Sequence, residues 1–68
     1  MNITITLNGK PLQLADSTTL DVLVSQQGFT PTAVAIVRNG TLVPRSCWPQ
    51  TCCQAGDNLE FFTAVAGG

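Results

Sequence analysis

The sequence predicts an α+β fold, in which a mixed sheet of four to five strands carries one helix packed across one face. Apolar and polar residues alternate near both ends of the chain, which is typical of half-buried strands. One segment, residues 19–27, has apolar residues at the spacing of a helix. Asn-Gly pairs at residues 8–9 and 39–40 are the preferred sequence for a tight hairpin turn. At 68 residues the chain has room for a single domain.

The first predicted element is a β-hairpin over residues 2–15. On both arms the apolar side chains alternate with polar ones and share one face of the pair: Ile3, Ile5, Leu7, Leu12 and Leu14. Asn8-Gly9 lies between the arms and supplies the turn. The hairpin therefore presents one apolar face to a core.

A helix is predicted next, over residues 19–27. Its apolar face consists of residues spaced three and four apart: Leu20, Leu23 and Val24. The hydroxyl of Thr18 or Thr19 is expected to cap the first turn, and Gly28 to end the helix in the left-handed conformation. Phe29 is expected to fold back under the end of the helix.

The second half of the chain predicts three more strands. Residues 33–38 are nearly all apolar and half of them are β-branched, and residues 41–43 form a short strand across the second Asn-Gly turn. Residues 45–56 have no regular pattern, and residues 58–65 alternate again. Because so long a loop does not suit a hairpin, the last strand is expected to insert centrally, beside the first strand. This order of elements is the β-grasp arrangement.

The composition excludes several classes of function. Charged residues make up 10% of the chain, against about 25% in ordinary domains, and the net charge is −1. Nucleic-acid binding is excluded because it needs clustered Lys and Arg. No apolar run approaches the about 20 residues of a membrane span, and the N-terminus lacks a signal-peptide pattern, so we expect a cytoplasmic protein. With no His and no Tyr, we expect a protein that is not an enzyme. We also expect a monomer when the chain is free.

The C-terminal end is the first candidate site. We predict a domain over residues 1–65 and a flexible tail of three residues, Ala66-Gly67-Gly68, whose largest side chain is a methyl group. Such a tail can thread a narrow active site of another protein. Its one reactive group is the terminal carboxylate of Gly68, which becomes a good acyl donor once it is activated as an acyl-adenylate. A frayed end without function is the alternative.

The second candidate site is Phe62. Adjacent residues of a strand face opposite sides, so that Phe62 lies on the outer face if Phe61 enters the core. It would share that face with Ala35, Val37 and Ala64. Exposed apolar patches on small domains often mark partner surfaces, and we expect this one to contact a partner. Dimerisation and ordinary surface exposure are the alternatives.

The remaining candidates lie in the irregular loop. Its three cysteines cannot complete a four-ligand zinc site without histidine, and an odd number argues against a disulfide framework: Cys47, Cys52 and Cys53. We expect reduced thiols with one or two in the core, and a persulfide or redox site is the alternative. Trp48 is expected to fill the space under the loop. Arg38 and Arg45 either pair with Asp57, Glu60 or the tail, or are solvated charges.

Over essentially its whole length the chain resembles the ThiS family, the ubiquitin-like β-grasp sulfur carriers of thiamine biosynthesis. The resemblance rests on Asn8-Gly9, Thr19-Leu20, Ala35-Ile36 ahead of Asn39-Gly40, Val43-Pro44-Arg45 with Trp48, Gly56-Asp57 and Ala66-Gly67-Gly68. The Val-Pro-Arg-x-x-Trp stretch together with the closing Ala-Gly-Gly is the most specific part. The chain departs from the family in its three cysteines, which the family's function does not need, and in the additional Val37-Arg38.

The resemblance implies a function for the tail. An E1-like adenylating enzyme, which would itself bind ATP and magnesium, adenylates the carboxylate of Gly68, and Gly67 threads that enzyme's active site. A sulfur donor carrying a persulfide then converts the carboxylate to a thiocarboxylate, from which thiazole synthase takes sulfur for thiamine. Phe62, Ala64 and Ala66 would contact these partners, and the chain itself would bind no cofactor or metal.

Three other functions fit parts of the sequence. The small subunit of molybdopterin synthase is also a sulfur carrier with a grasp fold and a Gly-Gly end, but it is typically longer. A ubiquitin-like modifier would be conjugated to protein lysines through Gly68. A plain interaction domain would have an inert tail.

Overall fold

The computed structural model describes residues 1–63 and confirms the predicted fold class. The strands are β1 (Asn2–Leu7), β2 (Lys10–Ala15), β3 (Val34–Arg38), β4 (Thr41–Val43) and β5 (Asn58–Thr63), and the helix is α1 (Leu20–Gln26). Two 3₁₀-helices cover Pro31–Ala33 and Arg45–Gln50. The predicted end of the last strand at residue 65, the domain boundary there and the tail 66–68 lie outside the described residues.

The five strands form one sheet in the order β2-β1-β5-β3-β4. As predicted, the last strand lies at the centre, parallel to β1 and antiparallel to β3. The other neighbouring pairs, β1 with β2 and β3 with β4, are antiparallel hairpins. Central insertion gives β5 a neighbour on both sides, so the strand that leads to the C-terminus is hydrogen-bonded to β1 and to β3.

Both predicted hairpin turns are present. Asn8 and Asn39 each have a φ of +52°, and the glycines that follow them have φ of +82° and +84°. Positive φ at both central residues defines the type I′ turn, whose twist matches that of the strands it joins. These two turns therefore have the conformation that their Asn-Gly sequences predict.

The core lies between α1 and the inner face of the sheet. The helix contributes its predicted apolar face, all of it buried: Leu20, Leu23 and Val24. The strands contribute the alternating set that points towards the helix: Ile5, Leu14, Val34, Ile36, Leu59 and Phe61. Trp48 is 2% exposed and closes the core beneath the loop, as predicted.

The start of α1 corrects one expectation. Thr19 is the N-cap residue, but its hydroxyl bonds to the carboxylate of Asp21 and makes no capping bond to the backbone. The first helical N–H, that of Leu20, is instead satisfied by the carbonyl oxygen of Thr51 at 3.0 Å. The long loop thus supplies an acceptor for one of the N–H groups that the first turn of the helix leaves unpaired. At the other end Gly28 has the predicted positive φ, +80°.

The loop itself corrects a second expectation. Residues 45–56 were expected to be irregular, whereas Arg45–Gln50 form a 3₁₀-helix that begins after Pro44. Its first bond runs from the N–H of Cys47 to the carbonyl of Pro44. A 3₁₀-helix of six residues is too short to show a repeating pattern of apolar residues, and the prolines at positions 44 and 49 resemble loop signals.

No helix within residues 1–63 is long and apolar enough to cross a membrane.

Candidate functional site

The outer face of the sheet carries an apolar patch. Phe62 is 54% exposed and lies directly opposite Ala35, while Leu42 is 61% exposed and lies opposite Val37. We call these four residues the outer patch. They lie on β5, β3 and β4, on the face that α1 leaves uncovered. The predicted outward position of Phe62 is therefore correct, and its contact with a partner stays a prediction.

Leu42 is the member of the outer patch that sequence reasoning missed. The signal was present, because a two-residue turn at 39–40 fixes the register of its hairpin. That register pairs Arg38 with Thr41 and hence Val37 with Leu42. Once Val37 is placed on the outer face, its partner Leu42 must share that face.

Phe61 points to the other side of β5 and is 7% exposed. Its ring packs edge-on against Phe29, with ring centroids 5.4 Å apart and an angle of 75° between the planes. This contact confirms that Phe29 folds back beneath the helix end. Edge-to-face pairs add about 0.5–1.5 kcal/mol beyond area burial. The pair therefore anchors the inner side of β5 directly beneath the outer patch.

The start of β5 is fixed by the carboxylate of Asp57, which is almost completely buried. Its Oδ2 accepts hydrogen bonds from Arg38 Nε and from the backbone N–H of Gln54, both at 2.9 Å, and its Oδ1 accepts one from Asn39 Nδ2 at 3.1 Å. Arg38 thus forms the ion pair considered for it, rather than a solvated charge. One carboxylate joins β3, the second turn and the loop before β5.

These contacts set the charge state of Asp57. Burial opposes ionisation of the carboxyl, but the hydrogen bonds from Gln54, Arg38 and Asn39, together with the charge of Arg38, outweigh it, so the pKa of Asp57 is lowered. A carboxyl whose pKa is lower in the folded than in the unfolded state stabilises the fold while it is ionised. That contribution is present above the ordinary value of about 3.9 and is lost as the pH falls through the folded pKa.

Asp57→Asn is expected to lower the free energy of unfolding at pH 7 by about 1.5–3 kcal/mol, the usual worth of a hydrogen bond to a charged group. The difference from the wild type should shrink as the pH falls below about 4, because the wild-type carboxyl then loses its charge too. Urea unfolding over a pH series measures both effects. The exposed Asp16→Asn is the control, and a difference that is constant with pH would show that the charge of Asp57 contributes nothing.

The cysteines have different environments. Cys47 and Cys52 are exposed and Cys53 is buried, and all three are free thiols. Burial, together with the nearby charge of Asp57, raises the pKa of Cys53 to about 11. The Cys53 thiol is therefore protonated at neutral pH and unsuited to nucleophilic attack, since the thiolate is the reactive form. This agrees with the expectation that one or two of the cysteines pack in the core.

Arg45 and Trp48, which belong to the most specific motif of the sequence, connect the loop to neighbouring elements through side-chain contacts. The indole Nε1 donates to the carbonyl of Val43 at 3.0 Å, and the guanidinium of Arg45 lies 5.7 Å from the ring centroid. Arg45 Nε donates to the carbonyl of Pro31 at 2.9 Å. Within residues 1–63 Arg45 forms no ion pair. The motif therefore joins the second 3₁₀-helix, Arg45–Gln50, to β4 and to the first 3₁₀-helix, Pro31–Ala33, which precedes β3.

Among the described residues, the side chains offer little for catalysis. A groove lined in part by Leu7, Lys10, Leu12 and Phe29 contains one ionisable group, that of Lys10. Within residues 1–63 no group of Cys, Asp and Glu side chains is arranged to hold a metal ion. The four other predicted site residues lie outside the described part of the chain: Ala64, Ala66, Gly67 and Gly68.

Comparisons with known proteins point to one family. The profile of the ThiS family matches residues 5–68. The sulfur carrier protein ThiS of Escherichia coli is 33% identical over 64 residues, which cover 94% of this chain and 97% of that protein. A thiazole synthase of Magnetococcus marinus is 36% identical over 64 residues, but these cover only 20% of its length. The crystal structure of the thiamine biosynthesis protein ThiS from Geobacter metallireducens matches 97% of this chain with a TM-score of 0.82 and 29% identity.

Proposed function

Because this chain belongs to the ThiS family, we propose that it is a sulfur carrier of thiamine biosynthesis whose working group is the carboxylate of Gly68. The observation that carries the proposal is the extent of the family match, which runs through the last residue and so includes the Gly-Gly end. A carrier needs no catalytic side chains of its own, which agrees with a sequence that has no His and no Tyr.

The chemistry proceeds in three steps on the tail. A carboxylate oxygen of Gly68 attacks the α-phosphorus of ATP in an E1-like adenylating enzyme, pyrophosphate leaves, and an acyl-adenylate forms. The terminal sulfur of a persulfide donor then attacks the acyl carbon, and AMP leaves. A thiol finally cleaves the sulfur–sulfur bond, becoming oxidised to a disulfide, and the tail retains a thiocarboxylate. ATP and magnesium belong to the adenylating enzyme.

Thiazole synthase is the proposed acceptor of the sulfur. Thiazole synthases of Magnetococcus marinus and Paramagnetospirillum magneticum each match this chain along one fifth of their length. A segment similar to this chain is therefore part of those longer polypeptides, and joining two domains in one chain raises their effective concentration for each other. This arrangement supports thiamine biosynthesis over the molybdopterin alternative.

The outer patch is the proposed docking surface for the adenylating enzyme. It lies on the strand that precedes the tail, so that a partner holding the patch also has the chain end within reach. Phe62→Ala is expected to weaken binding to the enzyme about tenfold, because a truncated aromatic anchor commonly costs at least 1 kcal/mol. Stability should change by less than about 1 kcal/mol, since half of the ring is already in water.

Isothermal titration of the two proteins measures the affinity, and urea unfolding measures the stability. Val22→Ala is the matched control, because Val22 is also an exposed apolar residue, 43% accessible, but lies on α1. It should leave binding unchanged. Equal affinities of Phe62→Ala and the wild type would remove the outer patch from the docking surface.

The first chemical step has its own test. Formation of an acyl-adenylate is reversible and releases pyrophosphate, so the adenylating enzyme should exchange labelled pyrophosphate into ATP only when this chain is present. The exchange should saturate with the concentration of the chain. Exchange that does not depend on the chain would contradict the proposed adenylation.

A further inference from the structure

The central strand β5 has different support on its two sides. On the side of β3 the pairing continues to the last described residue, where Thr63 lies opposite Val34. On the side of β1 the strand register ends with Leu7 opposite Leu59. The residues of β5 beyond Leu59, which lead towards Gly68, therefore extend past the end of their parallel neighbour.

One further hydrogen bond continues the β1 side of the ladder. The N–H of Thr6 donates to the carbonyl of Asp57, and that of Asn8 donates to the carbonyl of Leu59, both at 2.9 Å. The next group on this edge, the N–H of Phe61, donates to Asn8 Oδ1 at 2.9 Å. The side-chain amide of Asn8 thus takes the place of the backbone carbonyl that β1 no longer supplies.

The geometry depends on the turn in which Asn8 lies. Asn8 has a φ of +52°, a conformation that asparagine adopts more readily than most residues. Gly9, at +82°, completes the type I′ turn. The turn alone therefore explains an asparagine or a glycine at position 8, but the bond to Phe61 requires a side chain that carries an acceptor oxygen.

We infer that Asn8 is a positioning residue, whose side-chain amide holds β5 beyond the end of β1 and thereby sets the direction in which the chain continues to Gly68. Its significance for transfer rests on the proposed function of Gly68. An adenylating site accepts the tail in one path, so a strand that departs from its direction presents the carboxylate less often in reacting position. Docking through the outer patch depends less on this bond, because Phe62 pairs with Ala35 on the other side of β5.

The second Asn-Gly turn provides a control within the same molecule, and a severe one, because Asn39 Nδ2 also donates to the carboxylate of Asp57. Asn39 has the same φ of +52°, and its Oδ1 also accepts a backbone N–H of β5, that of Asn58, at 2.8 Å. This bond lies at the first residue of the strand, at the end away from the tail. It therefore holds the same strand without holding the segment that precedes Gly68.

Hydrogen exchange of the full-length protein tests the positioning without any partner. The measured quantity is the exchange rate of the Phe61 amide divided by that of the Ile5 amide. In Asn8→Gly, which keeps the turn but has no acceptor, this ratio should rise about fivefold or more, as expected for the loss of one hydrogen bond. Asn8→Asp, which keeps an acceptor oxygen, and Asn39→Gly should both stay within about twofold of the wild type. An unchanged ratio in Asn8→Gly would overturn the inference.

Steady-state adenylation then tests the consequence for the tail. Asn8→Gly should lower the kcat of the adenylating enzyme about threefold or more while the KM for the carrier stays within about twofold, and Asn8→Asp should restore kcat. Raised exchange with an unchanged kcat would overturn the positioning role. If the wild-type chain is not adenylated at all, the proposed function fails, and the exchange ratio still decides whether Asn8 holds β5.

Discussion

Removal of Gly68 is expected to reduce sulfur transfer at least about 100-fold, because it withdraws the terminal carboxylate by about 3.3–3.6 Å and a 1 Å misplacement can already cost that factor. The variant ends in the carboxylate of Gly67, so the chemical group is kept and only its position changes. Sulfur incorporation into the thiazole product, with the adenylating enzyme, ATP, a persulfide donor and thiazole synthase present, measures the effect.

The same deletion should leave the fold intact. Residues 1–63 already form a five-stranded sheet, a helix and a buried core, and the free energy of unfolding should change by less than about 0.5 kcal/mol, as for most changes away from such features. Urea unfolding is the control. A truncated chain that unfolds would make the tail a structural element, and one that transfers sulfur normally would exclude Gly68 as the reacting residue.

Replacement of Trp48 has the largest expected effect on stability. Trp48→Ala should lower the free energy of unfolding by about 3–5 kcal/mol, because it leaves a cavity in place of the indole ring that closes the core. It also removes the hydrogen bond to Val43 and the cation–π contact with Arg45. A domain of this size has roughly 3–10 kcal/mol in total, at about 0.05–0.15 per residue, so the loss takes away about a third or more of the stability of the domain.

Circular dichroism and urea unfolding measure this loss, since Trp48 is the only tryptophan available for fluorescence. Trp48→Phe is the matched variant: it keeps an aromatic ring in the core but has no N–H for Val43, and it should lose clearly less stability than Trp48→Ala. Phe62→Ala, on the outer face, controls for the removal of an aromatic ring as such. A free energy of unfolding in Trp48→Ala equal to that of the wild type would contradict the role of Trp48 as part of the core.

Much of the fold could be predicted because local sequence and tertiary structure agree. Ile3 to Leu7 alternate, and the strand is half-buried as that pattern requires. The Asn-Gly pairs predict type I′ turns, and Asn8 and Asn39 have the required positive φ. The central position of β5 followed from the length of the preceding loop and was confirmed.

What could not be predicted depends on residues distant in the sequence. The N–H of Leu20 is satisfied by the carbonyl of Thr51, a contact that only the folded loop can provide, while the hydroxyl of Thr19 bonds to the carboxylate of Asp21. The environment of Asp57 depends on three donors from β3, the second turn and the loop, and no spacing along the chain brings these together. Hydrogen bonds between a turn and a strand 53 residues away, such as that from Phe61 to Asn8, have no signature in sequence.

Some features of the candidate site could likewise be predicted from the sequence, and others could not. Gly68 is the proposed reacting residue on the basis of the Gly-Gly end and the family resemblance, and the outward position of Phe62 follows from strand alternation. Leu42 required the hairpin register, which sequence reasoning had available and did not use. The positioning contact of Asn8 required coordinates, because the Asn-Gly sequence already had a sufficient explanation in its turn.

The cysteines complicate any search for sulfur on this protein. Arg45 is the last basic residue, so a tryptic peptide from Ser46 to Gly68 contains both the tail and all three thiols. A persulfide formed on a cysteine would add a whole sulfur atom, whereas a thiocarboxylate replaces one oxygen by sulfur. A variant without thiols removes the ambiguity, with serine at the exposed positions 47 and 52 and alanine at the buried Cys53, because burial of a polar hydroxyl is costly unless it is hydrogen-bonded.

The most direct measurement is therefore the intact mass of this cysteine-free variant after incubation with the adenylating enzyme, ATP and a persulfide donor. We expect a mass increase equal to the replacement of one oxygen by sulfur, located by fragmentation at Gly68 and absent without ATP. An adduct linking Gly68 to a lysine would instead indicate a ubiquitin-like modifier. An unchanged mass under conditions in which the wild-type chain acquires sulfur would place the sulfur on a cysteine and contradict the carrier function of the tail.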